Sequence, residues 1–589
     1  MFILCFPFQL SKSRTTCYHN IYMSEGKNLY SGDVQDFYGK RRFDRPPANL
    51  KKVPNKKETL PDLEVHQGYS REEFAVNVEA IHSVEAREAF EKVCRICEAI
   101  KEAGGRALLV GGAVRDEVLG IASKDFDVEV YGLEPEEVEK ITKKFGKIKD
   151  VGKAFGILKL TDESGFEIDI SLPRTDSKIG KGHRGFEVKV DPKMSIAEAA
   201  KRRDFTFNAL SKDPLTGEIF DPFNGIEDLR TRKLRVTDPE LFKDDPLRLL
   251  RGAQFVGRFG LSAEPDTLKL MQAMAPELQE ISPDRIRDEW EKLLLRSVRP
   301  SMGLTLLNNI GVIDEHYPEL AALRGSEQEI EWHPEGDVWI HTLMVVDAGR
   351  DIITRKDLSG DTARVLMLAA LCHDLGKPYT AEVKEGRIKS HGHDVKGEAP
   401  TRSFLKRIGT RIKDTDKVAA LVREHIWPTA IYLNQKHDPG KRNKLTIGAF
   451  HRLAKRLDPA TLEELTYLAE ADCLGVGPFL DPNNPDQLLM KTVDAYGLEA
   501  GRWVREMASK LEVYQEKPKR YVSGRELISL GFVPSNKEGE KFGAIIDLAD
   551  DCRDLAGMEK EELIRLLLDS KGSVKVAVQK MQEILINAK

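Results

Sequence analysis

The sequence contains no apolar run that approaches the ~18–20 residues of a membrane-spanning helix. Its seven cysteines are scattered and lack the spacing of a disulfide framework, which favours a reducing compartment. The net charge of −5 excludes a chain that is basic overall, so bound nucleic acid must be held by local positive patches. These absences predict a cytoplasmic protein without a membrane domain. At 589 residues the chain is too long for one hydrophobic core, and several domains are expected.

The first 80 residues hold little that predicts a fold. Residues 1–22 contain no acidic residue, and the stretch MFILCFPF is too short for a normal signal-peptide core. Two interpretations stay open, an organelle-targeting segment or translation that starts at Met23. Residues 38–57 carry eight Lys or Arg against one Asp, with three prolines. We predict that residues 1–80 form a disordered basic extension, either a solvated tail or an arm that contacts RNA backbone.

Regular structure is predicted from Ser83 onward. A helix is expected to Ala103, followed by strands at RALLV, FDVEVYG, FGILKL, FEIDISL and FEVKV with helices between them. From about Ser195 the pattern becomes almost wholly helical, so the predicted fold class is an α/β (α+β) head followed by all-α domains. Proline-rich junctions set the remaining boundaries, which gives a head at 81–232, a neck and body at 233–330, a second helical domain at 331–480 and a tail at 481–589.

The stretch LLVGGAVRDEVLGIASKDFDVEVYG, residues 108–132, combines several weak signals. Its two adjacent glycines follow a buried strand and let the backbone approach a phosphate closely. Arg115 is placed to meet a triphosphate oxygen. Alternation along the next strand puts Asp125 and Asp127 on one face, ~6–7 Å apart, where they repel unless a cation lies between them. Mg²⁺, a hard ion that binds carboxylate and phosphate oxygens, is the expected cation.

This combination resembles the head of polymerase-β-type nucleotidyltransferases, and most closely that of bacterial tRNA nucleotidyltransferases and poly(A) polymerases. The resemblance implies that FEIDISLPRTD supplies a third catalytic carboxylate beside Asp125 and Asp127, namely Asp169, with Glu167 on the same face as the fallback. It also implies a nucleotide-binding set from the matching motifs, namely Gly111, Gly112, Arg115, Asp116, Arg203, Asp204, Asn208, Asp245, Arg248 and Arg251. Three carboxylates that hold two Mg²⁺ ions would serve an in-line displacement at the α-phosphate of a nucleotide.

Two further segments bear on the nucleic acid and the base. Residues 174–203 carry nine Lys or Arg against four acids, a local net charge of +5 that favours RNA backbone despite the acidic total. Within them, KIGKGHRGFEV resembles the family's flexible basic loop. Asp245 and Arg248 are three residues apart, and on a helix they share a face. An acid that accepts from an amine beside a guanidinium that donates would select cytosine and adenine over uracil and guanine.

A second group of residues predicts a metal centre in the helical half. His341 lies on one predicted helix, and the string AALCHDLGKP places His373 and Asp374 on another, where buried polar side chains are costly without a metal. These residues resemble the HD phosphohydrolase domain, which implies metal ligation by His341, His373, Asp374 and Asp472. His391, His393 and His425 are then expected in a second shell, in substrate contacts or as ligands of a second metal. Nitrogen and oxygen ligands leave the choice among Mn²⁺, Co²⁺, Ni²⁺ and Mg²⁺ open.

The order of head, helical neck and HD domain resembles bacterial tRNA nucleotidyltransferases with a fused HD phosphohydrolase. That resemblance implies addition of C, C and A from CTP and ATP to the 3′ end of tRNA, with hydrolysis of phosphoesters such as 2′,3′-cyclic phosphate ends. A poly(A) polymerase and an enzyme that adds only CC or only A share every motif quoted. An alarmone synthetase-hydrolase has the reverse domain order. A non-catalytic RNA-binding protein predicts lost carboxylates, yet all three are present.

Overall fold

A computed structural model of the chain describes residues 84–121, 123, 125–152, 157–178, 186–330, 332–437, 446–475, 479–481, 484–489, 492–533 and 539–588. The predicted extension at 1–80 lies outside the described residues, as does the centre of the predicted basic loop at 179–185. Across the part of the chain that is described, no helix is both long and apolar enough to span a bilayer.

The head contains a seven-stranded mixed sheet. Its elements in chain order are α1 (Val84–Glu102), β1 (Arg106–Val110), α2 (Gly112–Val118), β2 (Asp127–Tyr131), α3 (Pro135–Thr142), β3 (Lys147–Gly152), β4 (Ile157–Thr161), β5 (Glu167–Ser171), β6 (Arg174–Lys178), β7 (Phe186–Val190), α4 (Ile196–Ala200), β8 (Ser211–Lys212), β9 (Ile219–Phe220) and α5 (Gly225–Arg230). The sheet order is β3-β4-β5-β2-β1-β8-β9, in which only β2 and β5 run parallel. Strands β6 and β7 form a separate antiparallel ribbon.

The hydrophobic pattern explains why these segments form the sheet. Four successive residues of β1, Ala107 to Val110, are buried, because helix α1 packs on the strand through apolar side chains spaced three and four residues apart. Gly111 alone separates β1 from α2, and its φ of 69° is a conformation that favours glycine. The tight turn brings the start of α2 to the same edge of the sheet as the first residue of β2.

A helical neck follows the head. Its elements are β10 (Lys233–Leu234), α6 (Pro239–Phe242), α7 (Arg248–Phe259), β11 (Ser262–Ala263), α8 (Pro265–Met274), α9 (Pro283–Arg296), α10 (Pro300–Asn309), α11 (Val312–His316) and α12 (Pro318–Ala321). Helix α7 packs against α9 and α10. Five phenylalanines join the head to this neck, with ring centroids 5.3–6.5 Å apart in the contacting pairs: Phe205, Phe207, Phe242, Phe255 and Phe259.

The next helices enclose a strongly buried central helix. They are α13 (Val338–Lys356), α14 (Gly360–Cys372), β12 (Glu382–Lys384), β13 (Arg387–Lys389), α15 (His393–Arg407), α16 (Ile412–Glu424), α17 (Trp427–His437), α18 (Thr446–Leu457) and α19 (Leu462–Leu474). Every residue of α14 from Ala363 to Cys372 is buried, since α9, α13, α16 and α19 all pack on this helix. This packing accounts for the apolar run before His373.

The C-terminal part consists of β14 (Phe479–Asp481), β15 (Asn484–Leu489), α20 (Thr492–Lys510), α21 (Gly524–Ser529), α22 (Gly539–Ala556), α23 (Lys560–Asp569) and α24 (Val574–Asn587). Helix α20 packs on α17 and α19, whereas α21 to α24 share a core of their own. The predicted boundary at 480 lies within β14. The predicted boundaries at 232 and 330 lie between α5 and β10 and between α12 and α13.

The predicted strands are all present, and the fold class is confirmed. Strands β3 and β6 and the two-residue strands β8, β9, β10 and β11 were missed. KIKDVG and RTDSK are rich in charged and polar residues, and strands of two residues have no periodicity. The antiparallel pairs β12–β13 and β14–β15 also interrupt the predicted all-helical half.

Candidate functional site

Three acidic side chains come together on β2, on β5 and just before β2, two neighbouring strands in the middle of the head sheet. In the parallel pairing of β2 with β5, Asp127 is the register partner of Asp169, and Asp125 lies two residues before Asp127. All three side chains keep access to solvent, but Asp127 lies in a partly enclosed position. Withdrawal from water raises the pKa of Asp127, and the neighbouring charges of Asp169 and Asp125 raise it further, whereas Arg203 lowers it. Three carboxylates this close together repel one another. Mg²⁺ binds carboxylate oxygens and neutralises their charge, so the group suits such a hard divalent cation.

The alternative third carboxylate, Glu167, is engaged elsewhere. It lies two residues before Asp169 on β5 and pairs in the sheet with Thr161 of β4 rather than with β2. Lys149 and Lys159 form ion pairs with it at 3.2 Å and 3.0 Å. Since Asp169 is the residue that stands beside Asp127, the geometry favours Asp169 over Glu167.

An arginine and a glycine turn stand next to these carboxylates. The Gly111 N–H donates to the Leu210 carbonyl at 3.2 Å, and a Cβ at Gly111 would lie 3.3 Å from Nη1 of Arg203. A Cβ at Gly112 would lie 3.5 Å from Nη2 of Arg115. Burial lowers the pKa of Arg203, and so does the charge of Arg202. The predicted glycine pair and Arg203 thus come together between α2 and the carboxylates.

Arg115 is buried inside the head–neck junction. Its Nε donates to Asp116 at 2.8 Å and its Nη1 to Asn208 at 2.6 Å. The guanidinium lies 5.1 Å and 5.2 Å from the ring centroids of Phe255 and Phe259 on α7. The protein groups around it therefore occupy its donors, and its contact with a nucleotide stays a prediction.

The RRDFTFNAL motif forms a second buried network. Asp204 accepts from Nε of Arg251 at 2.7 Å and from Nδ2 of Asn208 at 2.8 Å. Burial alone would raise the pKa of Asp204, but Arg251 and Asn208 hold it below its ordinary value. Because Asn208 also accepts from Arg115, the network links α2 to α7.

The base-reading pair needs a correction. Helix α7 begins at Arg248, so Asp245 lies in the turn before it and the two residues do not share a helical face. Pro246 explains the start, since the residue before a proline disfavours helical angles. The two side chains are held separately. Asp245 accepts from Arg285 of α9 at 2.7 Å, and Arg248 donates to the carbonyls of Leu241 and Arg202, each at 2.7 Å.

The sequence did not predict three residues of the head site, namely Glu129, Tyr131 and Arg202. Glu129 is buried, accepts from Arg202 at 2.5 Å and from the Tyr131 hydroxyl at 2.7 Å, and lies 4.0 Å from Arg203. Burial would raise the pKa of Glu129, but the charges of Arg203 and Arg202 lower it. The alternation in DFDVEVY carried the signal, since it places Glu129 and Tyr131 on the face of Asp127.

The helical half brings its predicted metal ligands together. Nε2 of His341 lies 3.2 Å from Nε2 of His373 and 3.0 Å from Oδ1 of Asp472. Oδ2 of Asp374 lies 3.2 Å from Nε2 of His373 and 3.7 Å from Nε2 of His341. The four residues come from α13, from the turn after α14 and from α19. Helices α13 and α19 both pack on the buried helix α14, which brings these residues together.

A second ligand group shares Asp374. Nε2 of His393 and Nε2 of His425 are 3.2 Å apart and lie 3.4 Å and 3.8 Å from Oδ1 of Asp374. Both oxygens of Asp374 are buried. Nζ of Lys377 lies 2.7 Å from Oδ2, whereas Oδ1 faces the imidazoles of His393 and His425. A carboxylate buried among imidazoles is costly unless a further cation binds it. His391 is exposed and belongs to neither group.

The imidazoles are oriented for coordination. His373, His393 and His425 direct Nδ1 to the carbonyls of Ala370, Ser390 and Val422 at 2.9, 2.7 and 2.6 Å, which leaves Nε2 facing the acids. Burial and the neighbouring His393 lower the pKa of His425 to about 4, so it is neutral at pH 7 as a metal ligand must be. A carbonyl that fixes the tautomer from behind is typical of metal-binding histidines.

Three further residues support this centre and were not predicted. Oε1 of Glu335 lies 2.8 Å from Nδ1 of His341 and 3.0 Å from Nδ1 of His333. Burial opposes ionisation, yet the two imidazoles lower the pKa of Glu335 to about 2. Lys377 lies 2.7 Å from Oδ2 of Asp374 and 3.3 Å from Nε2 of His333. The signal was the string WHPEG, which places His333 and Glu335 just before α13.

Comparisons with known proteins agree with this arrangement. Residues 107–235 match a family model described as the poly A polymerase head domain, residues 260–323 the probable RNA and SrmB-binding site of polymerase A, and residues 338–474 the HD domain. The fold and the two sites thus define a nucleotidyltransferase with a polymerase-type head, a helical neck and a fused HD domain.

Curated relatives specify the family. The multifunctional CCA protein of Xanthomonas campestris pv. campestris (strain B100) is 36% identical over 378 residues, which cover 62% of this chain and 84% of the relative. That of Xylella fastidiosa (strain M23) is 34% identical over 389 residues, 64% of this chain and 86% of the relative. The chain belongs to this family, the CCA-adding tRNA nucleotidyltransferases with an HD domain.

Solved structures share the fold. A Bacillus stearothermophilus CCA-adding enzyme in complex with CTP is 24% identical, with a TM-score of 0.53, and the match covers 82% of this chain and 97% of that one. An apo form of a CCA-adding enzyme is 18% identical, with a TM-score of 0.51, and covers 84% of this chain and 97% of that one.

Proposed function

We propose that the head adds C, C and A to the 3′ end of tRNA, with CTP and ATP as substrates and Asp125, Asp127 and Asp169 as the catalytic carboxylates. The supporting observation is the parallel register of β2 and β5, which sets Asp127 beside Asp169. Arg203 lies close enough to Asp127 to lower its pKa. In the reaction the RNA 3′-oxygen bonds to the α-phosphorus, the bond to pyrophosphate breaks, and the hydroxyl proton leaves to solvent.

The three carboxylates would hold two Mg²⁺ ions. When bound, such ions acidify the 3′-hydroxyl and neutralise charge on the phosphates. The chain's own groups do the positioning. The turn at Gly111 lets backbone approach a phosphate, and Arg203 offers a cation beside Asp127. No covalent intermediate with the protein is required, because the chemistry is orientation plus electrostatics.

Base selection is assigned to Asp245 and Arg248. Arg285 holds the Asp245 carboxylate, and two backbone carbonyls hold the Arg248 guanidinium, so both are oriented before a nucleotide binds. The Asp245 acceptor and the Arg248 donor, each held in its own position, would match the amine and the ring acceptor that cytosine and adenine present and that uracil and guanine do not. Gly112, Arg115, Asp116, Asp204, Asn208 and Arg251 are proposed to shape the cleft around the nucleotide.

The transferase proposal is tested by supplying labelled CTP, ATP, UTP and GTP one at a time to tRNA that lacks its CCA. CTP alone is expected to add two residues, whereas UTP and GTP add none. Unlimited addition of A would assign the chain to the poly(A) polymerases, and addition of C without A would assign it to the CC-adding enzymes. The variant Asp125→Ala is the inactive control.

We further propose that the HD domain is a metal-dependent phosphohydrolase that acts on phosphoester ends such as 2′,3′-cyclic phosphates. The supporting observation is Asp374, whose two buried oxygens face one ligand group each. His341, His373, Asp374 and Asp472 would hold one divalent ion, and Asp374, His393 and His425 a second. Such ions, among them Mn²⁺, Ni²⁺, Co²⁺ and Mg²⁺, supply an activated water and polarise the phosphoryl oxygens.

Hydrolysis of cytidine 2′,3′-cyclic phosphate tests the second activity. We expect turnover that a chelator abolishes and that each divalent ion restores to a different extent. The double variant His373→Ala/Asp374→Ala should be inactive with every metal. Turnover by that variant at the wild-type rate would contradict the assignment.

A further inference from the structure

A row of paired residues runs across the head sheet through the carboxylates. Asp127 of β2 is the register partner of Asp169 of β5, and Asp169 is also the register partner of Lys159 on β4. Lys159 in turn pairs with Lys149 on β3. Because register partners point to the same face of a sheet, both lysines lie on the face of the carboxylates. With strands about 4.8 Å apart, Lys159 stands one strand spacing and Lys149 two strand spacings from Asp169.

The two lysines lie on the exposed face of these strands. The side chain of Lys149 is 57% exposed and that of Lys159 36%. Lys147, two residues before Lys149 and on the same face of β3, is also exposed. The opposite face is covered, since Leu160 of β4 is buried and lines a cavity together with Ile96 of α1. We call Lys147, Lys149 and Lys159 the lysine strip.

The lysine strip carries more positive charge than its acidic partner offsets. Glu167 forms ion pairs with both Lys149 and Lys159, so one carboxylate faces three ammonium groups. The hydrogen bond to Glu167 and the charge of Asp169 raise the pKa of Lys159, which keeps its ammonium charged at pH 7. The charge of Asp169 itself is taken up when the proposed Mg²⁺ ions bind. Exposed ion pairs are weak, so a phosphate can bind these lysines at little cost. The reaction supplies two polyanions, the triphosphate and the RNA backbone.

The position of the lysine strip selects between these two polyanions. Strand β1 lies beyond β2 on the side away from β5, and Gly111, which follows β1, lies next to Arg203. The glycine turn proposed for the triphosphate and the lysine strip are therefore on opposite sides of the carboxylates. In an in-line displacement the attacking oxygen and the leaving pyrophosphate lie on opposite sides of the transferred phosphorus. The RNA 3′ end therefore approaches over β3, β4 and β5.

We propose that Lys149 and Lys159 bind the terminal phosphates of the RNA backbone and direct its 3′-hydroxyl to the carboxylates from the side of β4. Lys147 extends this site along β3. The site is independent of RNA sequence, because a lysine ammonium that contacts phosphate oxygens reads no base edge. The inference rests on the proposed transferase function and adds a binding site for the backbone of its RNA substrate.

Binding of tRNA that lacks CCA tests the proposal, measured by filter retention without nucleotide over a range of salt concentrations. The double variant Lys149→Met/Lys159→Met should bind about tenfold more weakly at low salt, and the slope of log Kd against log salt should fall by about one to two. In CTP incorporation its KM for tRNA should rise in proportion, while kcat and the KM for CTP stay within about twofold. Lys149→Arg/Lys159→Arg should keep the wild-type values. The control is Lys101→Met, which removes an exposed lysine from α1 on the covered side of the sheet and should change none of them.

The other outcomes separate the inference from the transferase proposal. Wild-type affinity and salt slope in the double variant, with normal incorporation, would overturn the inference alone. A loss in kcat at unchanged tRNA affinity would show that the lysines act on the charge of Asp169, and a rise only in the KM for CTP would show that they bind the triphosphate. Either result overturns RNA binding at this site. Absence of incorporation by wild type would remove the transferase proposal and the inference with it.

Discussion

At the scale of single residues, the head site depends on which acid stands beside which. Asp169 and Glu167 both lie on the solvent-facing side of β5, and the sequence alone could not choose between them beyond a resemblance. The parallel pairing of β2 with β5 decides in favour of Asp169, while two lysines neutralise Glu167. Strand register is a tertiary property, which explains why the motif implied the chemistry but not this geometry.

A matched pair of variants checks the choice. Asp169→Ala should reduce nucleotide incorporation by about 100-fold or more, because it removes a charge that acts on the transition state. Glu167→Ala should leave incorporation within about twofold, since it removes only exposed ion pairs. Both rates are measured with labelled CTP under single-turnover conditions. The reverse order of effects would assign the catalytic role to Glu167.

The Asp204–Arg251 pair predicts a pH-dependent contribution to stability. In the folded chain Arg251 and Asn208 lower the pKa of Asp204 against the effect of burial, so the pair stabilises fully above the unfolded value of about 3.9 and less as pH falls below it. Arg251→Met should lower the free energy of unfolding by about 1 kcal/mol at pH 7, at the low end because Arg251 is 35% exposed.

Urea denaturation at several pH values measures this difference. Between pH 7 and pH 5 the gap between wild type and Arg251→Met should stay constant, and below about pH 4 it should shrink as Asp204 is protonated. A gap that grows on acidification would show that Asp204 is not the group that Arg251 stabilises.

At the scale of elements, turns and helix contacts place the reactive groups. The turn between β1 and α2 was predicted from the glycine pair, and its purpose is visible at Gly111, which combines positive φ with a close approach to Arg203. The start of α7 was not predictable in the same way. Sequence spacing suggested a shared helical face for Asp245 and Arg248, but Pro246 disfavours helical angles at Asp245, and α7 begins only at Arg248.

Alanine substitution at two glycines with positive φ distinguishes backbone strain from a role in nucleotide incorporation at the turn between β1 and α2. Gly111→Ala and Gly165→Ala should each lower the free energy of unfolding by about 1–2 kcal/mol, because both residues have left-handed backbone angles. Only Gly111→Ala should also impair incorporation, since its Cβ lies 3.3 Å from Arg203, whereas no atom lies within 4 Å at Gly165. Thermal unfolding and CTP incorporation together report both effects. Equal incorporation by the two variants would contradict a role for the Gly111 turn.

Contact between the Gly376 turn and α15 sets the second metal group. A Cβ at Gly376 would lie 1.9 Å from the His393 carbonyl, so Gly376→Ala must displace the start of α15 and with it His393. We expect the variant to bind one fewer equivalent of metal than wild type, as measured by calorimetry with Mn²⁺. Gly386→Ala at the hairpin tip, where no atom lies within 4 Å, should keep the wild-type stoichiometry. Full stoichiometry in Gly376→Ala would remove His393 from the ligand set.

At the scale of the whole molecule, one chain holds two centres, and helix α9 of the neck contacts elements on both sides. Helix α9, which holds Asp245 through Arg285, also packs on α14 of the HD domain. Trp290 of α9 meets Phe404 of α15 with ring centroids 5.5 Å apart, and Arg287 donates to the Gly409 carbonyl. The neck is therefore a structural bridge from the base-reading turn to the HD helices.

The order of these domains could be predicted from the sequence, but most of the residues that hold the two centres in place could not. Motifs such as GGAVRD and CHDLGKP are local, so spacing alone indicated the two centres. Glu129 was missed because its partner Arg202 is distant in sequence. Glu335 and Lys377 lie within a few residues of the predicted ligands, but their roles became visible only when Lys377 was seen to contact both Asp374 and His333.

Separate inactivation tests whether the two centres work independently. Asp125→Ala should abolish incorporation and leave hydrolysis of cytidine 2′,3′-cyclic phosphate unchanged, because the head carboxylates do not contribute to the HD ligand groups. His373→Ala/Asp374→Ala should do the opposite. Loss of both activities in either variant, with the fold verified by circular dichroism, would show that the centres are coupled through the neck.

The central claim is that this chain completes tRNA with C, C and A. The most direct measurement is to incubate tRNA lacking these three nucleotides with the enzyme and all four nucleoside triphosphates, and to sequence the product 3′ ends. We predict ends that read CCA and stop there, with none from Asp125→Ala. Homopolymeric A, ends that stop at CC, or unextended tRNA with active HD hydrolysis would contradict the account.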